Sequence, residues 1–220
     1  MKVLVACEYS GRVRDAFLAR GHDAMSCDIL PSDTPGPHHQ GDVLELISKT
    51  GGRWDLLIAH PPCTYLTVAA EWAYKEVQSK KIKPGVLIGE ARKQAREEAV
   101  AFVMALAGMD IPMIAIENPV GVLSSRWREP DQYIQPYEYG EDASKKTCLW
   151  LKGLPPLKPT AFCPPRLAPS GNGKGYAFRW SNQTDSGQNI EPPCENRWKI
   201  RSTTYRGWAE AMAEQWGGTK

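Results

Sequence analysis

Short apolar runs alternate with helix-like segments through the first half of this 220-residue sequence. The runs KVLVAC, WDLLIA and PMIAI occupy residues 2–7, 54–59 and 112–116, and each has the length of a buried strand. Residues 11–20 and 90–107 instead place apolar side chains at helical spacing. Alternation of strand and helix is typical of a mostly parallel sheet with helices on both faces. The sequence therefore predicts an α/β fold with a Rossmann-like, doubly wound sheet.

Shorter segments extend this pattern. We predict a strand over residues 23–28, a short helix over 43–47 and a closing helix over 207–216. Residues 64–89 are polar and rich in lysine, and they directly follow a predicted strand. A long connection at such a position predicts a mobile loop over an active site.

Residues 155–196 are dense in proline, glycine, serine and asparagine. This composition predicts an irregular lobe, with short strands near residues 176–180. The predicted organisation has three parts: a cofactor-binding and catalytic domain at 1–152, a small basic, aromatic-rich lobe facing nucleic acid at 153–200, and a C-terminal helical segment at 201–220 that returns to the catalytic domain.

The six cysteines are too few for a disulfide scaffold in a chain of this length. In a reducing compartment they are buried thiols, metal ligands or a nucleophile. The first apolar run is too short for a signal peptide, and no stretch reaches the roughly 18 apolar residues of a membrane span. We therefore expect a cytoplasmic protein with no membrane partner.

Positive charge is concentrated late in the chain. Residues 143–206 contain eleven basic and three acidic residues, whereas the chain as a whole has a net charge of only +2. Aromatic residues are interleaved there, and base stacking beside phosphate contacts uses that mixture. The alternative is a solvated basic surface over a small aromatic core. The candidate nucleic-acid contacts are Lys146, Arg166, Lys174, Arg179 and Trp180.

Polar residues follow the first predicted strands, at the sheet edge where parallel α/β folds bind ligands. The turn at residues 8–11 precedes a helix N-terminus, whose backbone N–H groups can face a ligand. Asp28 ends the second strand, where an acid can accept hydrogen bonds from ribose hydroxyls, and Asp42 is a third polar tip that can meet an adenine ring. Each acid alone could cap a helix, and the turn could be an ordinary connection. Their joint placement favours an adenosine-containing ligand.

The segment His60-Pro61-Pro62-Cys63 follows the strand at 54–59. Its two prolines make a rigid turn that can hold a side chain over the sheet edge. A thiol there acts as a nucleophile if its pKa is lowered or if it loses its proton in step with attack. The alternative is a buried structural cysteine. We interpret His60 as a turn residue rather than a base.

Glu117-Asn118-Pro119 follows the strand at 112–116. Burial of a carboxyl group at a strand end is costly without a partner. We expect burial to raise the pKa of Glu117, so that it holds or delivers a proton near neutrality. The alternative is a helix-capping Glu-Asn pair.

A zinc site formed by Cys148, Cys163 and Cys194 is a further alternative. The sequence contains no CxxC pair, and none of its four histidines lies in that part of the chain. We therefore expect no bound metal.

Taken in order, these motifs resemble those of the cytosine-5 DNA methyltransferase family, from residue 2 to about residue 152. Pro61-Pro62-Cys63 resembles the family's Pro-Cys motif, and Glu117-Asn118 resembles its Glu-Asn motif. Lys145-Lys146-Thr147 stands where the family has Arg-x-Arg, and residues 201–216 resemble its closing segment. Thr64 replaces the usual Gln, and Pro119 replaces the usual Val.

The family's large target-recognition region is missing here or reduced to about residues 155–196. In this respect the chain is similar to small phage- and prophage-type members, which implies a bacterial or phage-infected cell.

The resemblance implies S-adenosyl-L-methionine as cofactor and duplex DNA with a flipped-out cytosine as partner. The thiolate of Cys63 would add to cytosine carbon 6 while Glu117 protonates or hydrogen-bonds ring nitrogen 3. The loop at 64–89 would cover the flipped base. The implied catalytic residues are Cys63, Glu117, Asn118 and Lys145. The implied cofactor contacts are Glu8, Tyr9, Ser10, Gly11, Asp28, Ile29, Asp42, Val43 and Pro61.

Two alternatives stay open. One keeps the chemistry but changes the acceptor to RNA or to a free or modified pyrimidine nucleotide. The other is a non-catalytic DNA-binding protein built on a methyltransferase fold. The sequence predicts no oligomeric state.

Overall fold

The computed structural model describes residues 1–51, 53–68, 71–75, 85–170, 175–190 and 197–218. Nine strands lie within these ranges: β1 (Lys2–Ala6), β2 (Asp23–Asp28), β3 (His38–Gln40), β4 (Leu56–Ala59), β5 (Met113–Pro119), β6 (Gln132–Ile134), β7 (Thr147–Lys152), β8 (Arg166–Pro169) and β9 (Tyr176–Arg179). The helices within them are α1 (Arg12–Ala19), α2 (Val43–Thr50), α3 (Gly89–Ala107), α4 (Leu123–Arg126), α5 (Arg197–Ser202) and α6 (Arg206–Trp216). Short 3₁₀ turns occur at Glu71–Tyr74 and Pro136–Glu138.

Seven of the strands form one mixed sheet in the order β3-β2-β1-β4-β5-β7-β6. The first five are parallel, and β7 pairs antiparallel with both β5 and β6. The predicted α/β class with a mostly parallel sheet is confirmed. The arrangement is compatible with a Rossmann-like fold.

Helices cover both faces of this sheet. On one face, Val3 and Val5 of β1 pack with Phe17 of α1 and Trp208 of α6. On the other face, apolar residues of β1 and β4 pack with those of α2 and α3. Because successive residues of a strand point to opposite faces, continuous apolar runs such as LLIA in β4 supply both cores at once.

The strand order reverses between β1 and β4, which lie side by side at the centre of the sheet. The connections that leave their carboxyl ends run to opposite sides, and the crevice where such connections part is the place where open α/β sheets bind ligands. Residues 7–11 follow β1 and residues 60–63 follow β4. The fold therefore brings the two predicted ligand-binding turns to one crevice.

The strand β5 is longer than predicted. The sequence pattern ended it at Ile116, whereas pairing with β7 continues to Pro119, opposite Thr147. Glu117 and Asn118 therefore lie inside a paired strand rather than after it. The strands β3 and β6 were not predicted, because three residues with few apolar side chains give no periodic signal.

The predicted irregular lobe contains the antiparallel pair β8–β9, and β9 coincides with the strand expected near residues 176–180. The predicted closing helix is α6, which begins one residue earlier than expected. Within the described ranges, no helix is long and apolar enough to cross a membrane.

Candidate active site

Two side-chain contacts join the turn after β4 to the end of β5. Nδ1 of His60 lies 3.0 Å from Oε2 of Glu117, and the Asn118 side-chain amide donates a 2.7 Å hydrogen bond to the Pro61 carbonyl. Each contact spans 57 residues of sequence. The Pro-Cys and Glu-Asn motifs therefore form one site.

The segment that follows Cys63 and the segment that follows Glu117 also contact each other through their backbones, a few residues further along the chain. The backbone N–H of Val122 donates to the Leu66 carbonyl at 2.8 Å, and Thr67 bridges Gly121. A Cβ atom on Gly121 would lie 2.0 Å from the Leu66 carbonyl oxygen, closer than any side chain permits. A glycine is therefore required where the segment after Cys63 crosses the segment after Glu117.

The expectation that the pKa of Glu117 is raised was wrong. Burial does raise that pKa, but the hydrogen bond from His60 and the positive charge of Lys145 outweigh it, so the net shift is downward. The predicted burial is correct, since only 12% of the side chain is exposed. The sequence could not show that the buried carboxyl group would have His60 as a hydrogen-bond partner.

Three buried polar atoms at this site have no hydrogen-bond partner within the described ranges: His60 Nε2, Glu117 Oε1 and Asn118 Oδ1. Buried polar atoms are almost always paired, because leaving one unpaired costs about 1–3 kcal/mol. A cluster of such atoms on neighbouring residues is therefore expected where a polar ligand completes the pairing. The side-chain oxygens of Glu117 and Asn118 are acceptors suited to N–H groups of a ligand.

Cys63 is exposed, so the expected alternative of a buried structural cysteine is excluded. Desolvation by the surrounding protein nevertheless raises the pKa of its thiol, and Glu117 adds to this effect. The positive charge of Lys145 opposes it most strongly, followed by that of Arg201. Nζ of Lys145 donates to the Arg201 carbonyl at 3.1 Å, so the two residues whose charges lower the thiol pKa are joined to each other. Sequence reasoning missed Arg201, because nothing in the local pattern links α5 to Cys63.

Two arginines of α3 hold the segment that follows Cys63. Arg96 donates to the Tyr65 carbonyl at 3.0 Å and pairs with Glu71 at 2.6 Å. Its guanidinium lies over the Tyr74 ring, as does that of Arg92. The described part of the predicted lid is therefore tied to α3, and residues 69–70 and 76–84 lie outside the described ranges.

The turn after β1 is held by its own side chains. The Glu8 carboxylate is buried and accepts hydrogen bonds from the backbone N–H groups of Val13 and Arg14 at the start of α1. Ser10 donates to the same carboxylate at 3.2 Å. Burial raises the pKa of Glu8, while the charge of His60 and these hydrogen bonds oppose the rise. The carboxylate thus faces the helix and His60.

Tyr9 and Gly11 link this turn to other parts of the chain. The hydroxyl of Tyr9 donates to the Lys199 carbonyl at 2.8 Å, which anchors α5 beside the site. Gly11 has a φ of 72°, and a Cβ there would lie 2.3 Å from the Thr34 hydroxyl oxygen. The turn therefore needs glycine both for its backbone conformation and for its packing.

The predicted cofactor acids lie close together at neighbouring strand ends. Burial raises the pKa of the Cys7 thiol, and the charges of Asp28 and Asp42 raise it further, so both carboxylates lie near the end of β1. Asp42 caps α2 by accepting from the Leu44 and Glu45 amides, which confirms the capping geometry considered for it. Val43 is buried in the first turn of that helix.

Asp28 and Ile29 present a mixed surface at the end of β2. The Asp28 carboxylate accepts from the Leu30 amide at 2.9 Å, and burial raises its pKa. Ile29 is 75% exposed and offers an apolar surface next to this carboxylate. Cys7, which faces these residues, has a φ of 56°, a left-handed conformation that costs a side chain about 1–2 kcal/mol. Such strain is concentrated at ligand sites.

A buried arginine that the sequence did not single out fixes the loop after β2. Arg14 is fully buried, and its guanidinium donates to Ser26, Ser32 and Thr34. These contacts hold the loop against α1 and so keep the Asp28 end of the crevice in place. A single arginine in a helix pattern carries no local sign of burial.

A surface cavity of about 680 Å³ lies beside this crevice rather than in it. It is lined by α1, α6 and the Asp33–Thr34 segment, and Ser10 is its one residue in common with the predicted cofactor contacts. Its lining includes both acidic and basic side chains. Its position gives no support to the predicted cofactor site.

The candidate nucleic-acid contacts are divided among different environments. Nζ of Lys146 lies 4.1 Å from the centroid of the Tyr133 ring, while Lys145 faces the Cys63 side. Arg166 and Arg179 both bond to Asp185, and Trp180 stacks on Tyr137 with ring centroids 4.2 Å apart. Lys174 lies outside the described ranges. The described members of the predicted set therefore each have protein partners, and their contact with nucleic acid stays a prediction.

Aromatic side chains near these residues remain exposed. On β8–β9, Leu167 lies opposite Phe178, and Pro169 opposite Tyr176. Leu167, Phe178 and Tyr176 are all more than half exposed.

Within the described ranges, no cluster of side chains could hold a metal ion, and Cys194 lies outside those ranges.

No model of a known protein family matches this chain. No curated protein matches it either. Its fold and site define an α/β protein with an exposed cysteine after one central strand and, in the next strand of the sheet, a buried carboxylate that acts on its pKa.

Proposed function

We propose that this protein transfers a methyl group from S-adenosyl-L-methionine to carbon 5 of cytosine in DNA, with Cys63 as the nucleophile. The observation that carries the proposal is the joining of two motifs, Pro-Cys and Glu-Asn, through His60–Glu117 and Asn118–Pro61. A thiol and a carboxylate at one site are the two groups that addition across a pyrimidine double bond requires.

The residues at the strand ends fit the proposed cofactor. Asp28 offers a half-buried carboxylate for ribose hydroxyls, and the exposed Ile29 next to it offers an apolar surface for a purine ring. The strained Cys7 lies beside them, as expected of a ligand site. When bound, S-adenosyl-L-methionine would supply an electrophilic methyl group.

The chain's own residues would prepare the acceptor ring. The Cys63 sulfur adds to carbon 6, and its thiol proton leaves to solvent, because the side chain is exposed. Lys145 and Arg201 favour the thiolate by their positive charge. The buried Oε1 of Glu117, which accepts no hydrogen bond among the described contacts, would face ring nitrogen 3 and pass it a proton, which gives the ring enamine character.

Charge supports a nucleic-acid acceptor rather than a neutral one. The segment from 143 to 206 holds eleven basic residues, and the charges of two of them, Lys145 and Arg201, lower the pKa of the Cys63 thiol. A polyanion that approaches the thiol would meet these cations first. RNA and a free pyrimidine nucleotide are outcomes of the test below.

The deciding experiment compares cells that express wild type or Cys63→Ser. Mass spectrometry of their nucleosides should show 5-methylcytosine in DNA only with the wild type. Purified protein with labelled cofactor and separate duplex DNA, RNA and dCMP then identifies the acceptor. Cys163→Ser is the matched control, since Cys163 lies in the lobe away from Glu117. Transfer that persists in Cys63→Ser would remove the nucleophile, and no transfer to any acceptor would remove the proposed function.

A further inference from the structure

His60 lies between two buried carboxyl groups. It contacts Glu117 of β5 directly, and its charge lowers the pKa of Glu8 at the end of β1. Only 7% of its side chain is exposed, and its Nε2 has no hydrogen-bond partner within the described ranges. A histidine that merely completes a turn needs neither burial nor two acidic neighbours.

The contact with Glu117 fixes where one histidine proton lies. An ionised carboxylate can only accept hydrogen bonds, so Nδ1 of His60 must carry the proton that the two atoms share. Because the two atoms lie 3.0 Å apart and both side chains are buried, a proton can pass between His60 and Glu117 without contact with bulk water.

Glu117 is ionised, so it must receive a proton before it can donate one to the substrate. Because its pKa is lowered, Glu117 is a carboxylate near neutrality and has no proton of its own to give to a ring nitrogen. Lys145 also acts on Glu117, from the segment before β7, but no hydrogen bond joins them among the described contacts. His60 and Thr147 are the two side chains whose hydrogen bonds lower the pKa of Glu117, and of these two residue types only histidine can release a proton near neutrality.

We propose that His60 is a positioning residue that holds the Glu117 carboxylate in place and supplies through it the proton taken by nitrogen 3 of the bound pyrimidine. This inference rests on the function proposed above. In the doubly protonated form of His60, the Nδ1–H bond breaks and its electron pair stays on the ring, so that a neutral imidazole with its proton on Nε2 remains, while the carboxyl group passes one proton on and returns to carboxylate. The positive charge moves from the imidazolium to the ring, where addition of the Cys63 thiolate neutralises it. The proton returns when Cys63 leaves.

Asparagine at position 60 separates the two roles of the histidine. Its side-chain amide can still donate to Oε2 of Glu117, but it cannot take up or release a proton near neutrality. We expect His60→Asn to lower kcat about 100-fold or more, the usual contribution of a positioned proton donor, with little change in KM. A proton-donor role also predicts that the wild-type rate falls as rising pH removes the donor's proton, and that this alkaline fall is absent from the variant.

His22→Asn is the matched control. His22 is also buried, but it precedes β2 and so lies at the amino end of that strand, whereas His60 follows the carboxyl end of β4. This control should keep the wild-type pH profile, and circular dichroism should show that each variant folds. If His60→Asn keeps the wild-type rate and profile, as His22→Asn should, the proposal is overturned while the methyltransferase assignment stands.

Glu117→Gln provides a test that does not depend on the folding of the His60 variants. Because His60 acts through the carboxylate, the residual activity of Glu117→Gln should also lose its alkaline fall. A fall that persists unchanged would show that His60 does not act through Glu117. Absence of methyl transfer by the wild type would remove both this inference and the function on which it rests.

Discussion

The side-chain amide of Asn118 donates a 2.7 Å hydrogen bond to the backbone carbonyl of Pro61, two residues before Cys63. Since Asn118 is next to Glu117 in β5, one contact fixes the spacing between the carboxylate strand and the turn that carries the thiol. The proline at 61 limits the backbone of that turn, and the asparagine holds it in place. The site thus depends on structural residues as much as on the groups that would react.

Replacement of Asn118 by alanine should destabilise the protein and impair the site together. The Pro61 carbonyl would be left buried without a partner, which costs about 1–3 kcal/mol. Urea unfolding measures the loss, and methyl transfer should fall more than stability alone explains. Asn182→Ala is the control, since Asn182 also donates to a backbone carbonyl, that of Ser144, but lies in the lobe. Equal effects of both variants on methyl transfer would contradict a role of Asn118 at the site.

The rate at which Cys63 is alkylated should depend on the positive charge of Lys145. Desolvation raises the thiol pKa and Lys145 lowers it, so Lys145→Gln should raise that pKa and slow the reaction with iodoacetamide near neutrality. Lys146→Gln is a control from the adjacent position, because Lys146 lies over Tyr133 instead. Peptide mass spectrometry follows Cys63 separately from the other thiols. Equal rates in the two variants would argue against the electrostatic assignment.

The stability conferred by Glu117 should be lost in acid. Its pKa in the folded protein lies below its ordinary value of about 4.5, so its ionised form adds stability above that pH, and the gain disappears as the pH falls through the lowered pKa. The free energy of unfolding of the wild type should therefore exceed that of Glu117→Gln near neutrality, and the difference should shrink on acidification. Chemical unfolding at a series of pH values measures it.

Glu8→Gln should show the opposite trend. Burial raises the pKa of Glu8 above about 4.5, so the wild type incurs a growing cost as the pH rises through that raised pKa. The variant should therefore gain stability relative to the wild type with rising pH. If both glutamine variants gave the same slope, the opposite shifts of these carboxyl groups would be disproved.

Substitution of Gly121 should disturb the site without touching any reactive group. An added Cβ would press against the Leu66 carbonyl, so Gly121→Ala must push the segment after Cys63 away from β5. We expect a loss of about 1–3 kcal/mol in the free energy of unfolding, as for other overpacked sites. Gly108→Ala is the contrasting case, since Gly108 has a φ of −83° and the atom nearest to an added Cβ, the Met104 carbonyl oxygen, would lie 3.3 Å away. A fully stable Gly121→Ala protein would show that the two segments are not in contact.

Binding to DNA should weaken steeply with added salt. If several phosphates are neutralised by the basic segment at 143–206, the logarithm of the affinity falls linearly with that of the salt concentration. Arg201→Gln should reduce the magnitude of this slope by about 1, the change expected when one phosphate contact is lost. Fluorescence anisotropy with a duplex oligonucleotide gives both slopes, and a flat response would exclude a phosphate-binding role.

Periodicity in the sequence predicted the fold class and the order of the site motifs, because strands and helices leave repeating apolar patterns within a dozen residues. KVLVAC and WDLLIA became the adjacent central strands β1 and β4, and α3 spans almost the predicted residues. Motif order along the chain then placed Cys63 and Glu117 at the same sheet edge, since parallel strands share the direction of their carboxyl ends.

Only the tertiary structure decided the chemistry of the individual groups. The partnership of His60 with Glu117 joins residues 57 positions apart, and it turned an expected rise in the carboxyl pKa into a fall. Arg201 beside Cys63 and Trp180 stacked on Tyr137 arise in the same way. The physical reason is that a pKa or an exposed surface depends on every charge and dipole within a few ångströms, and those neighbours come from distant parts of the chain.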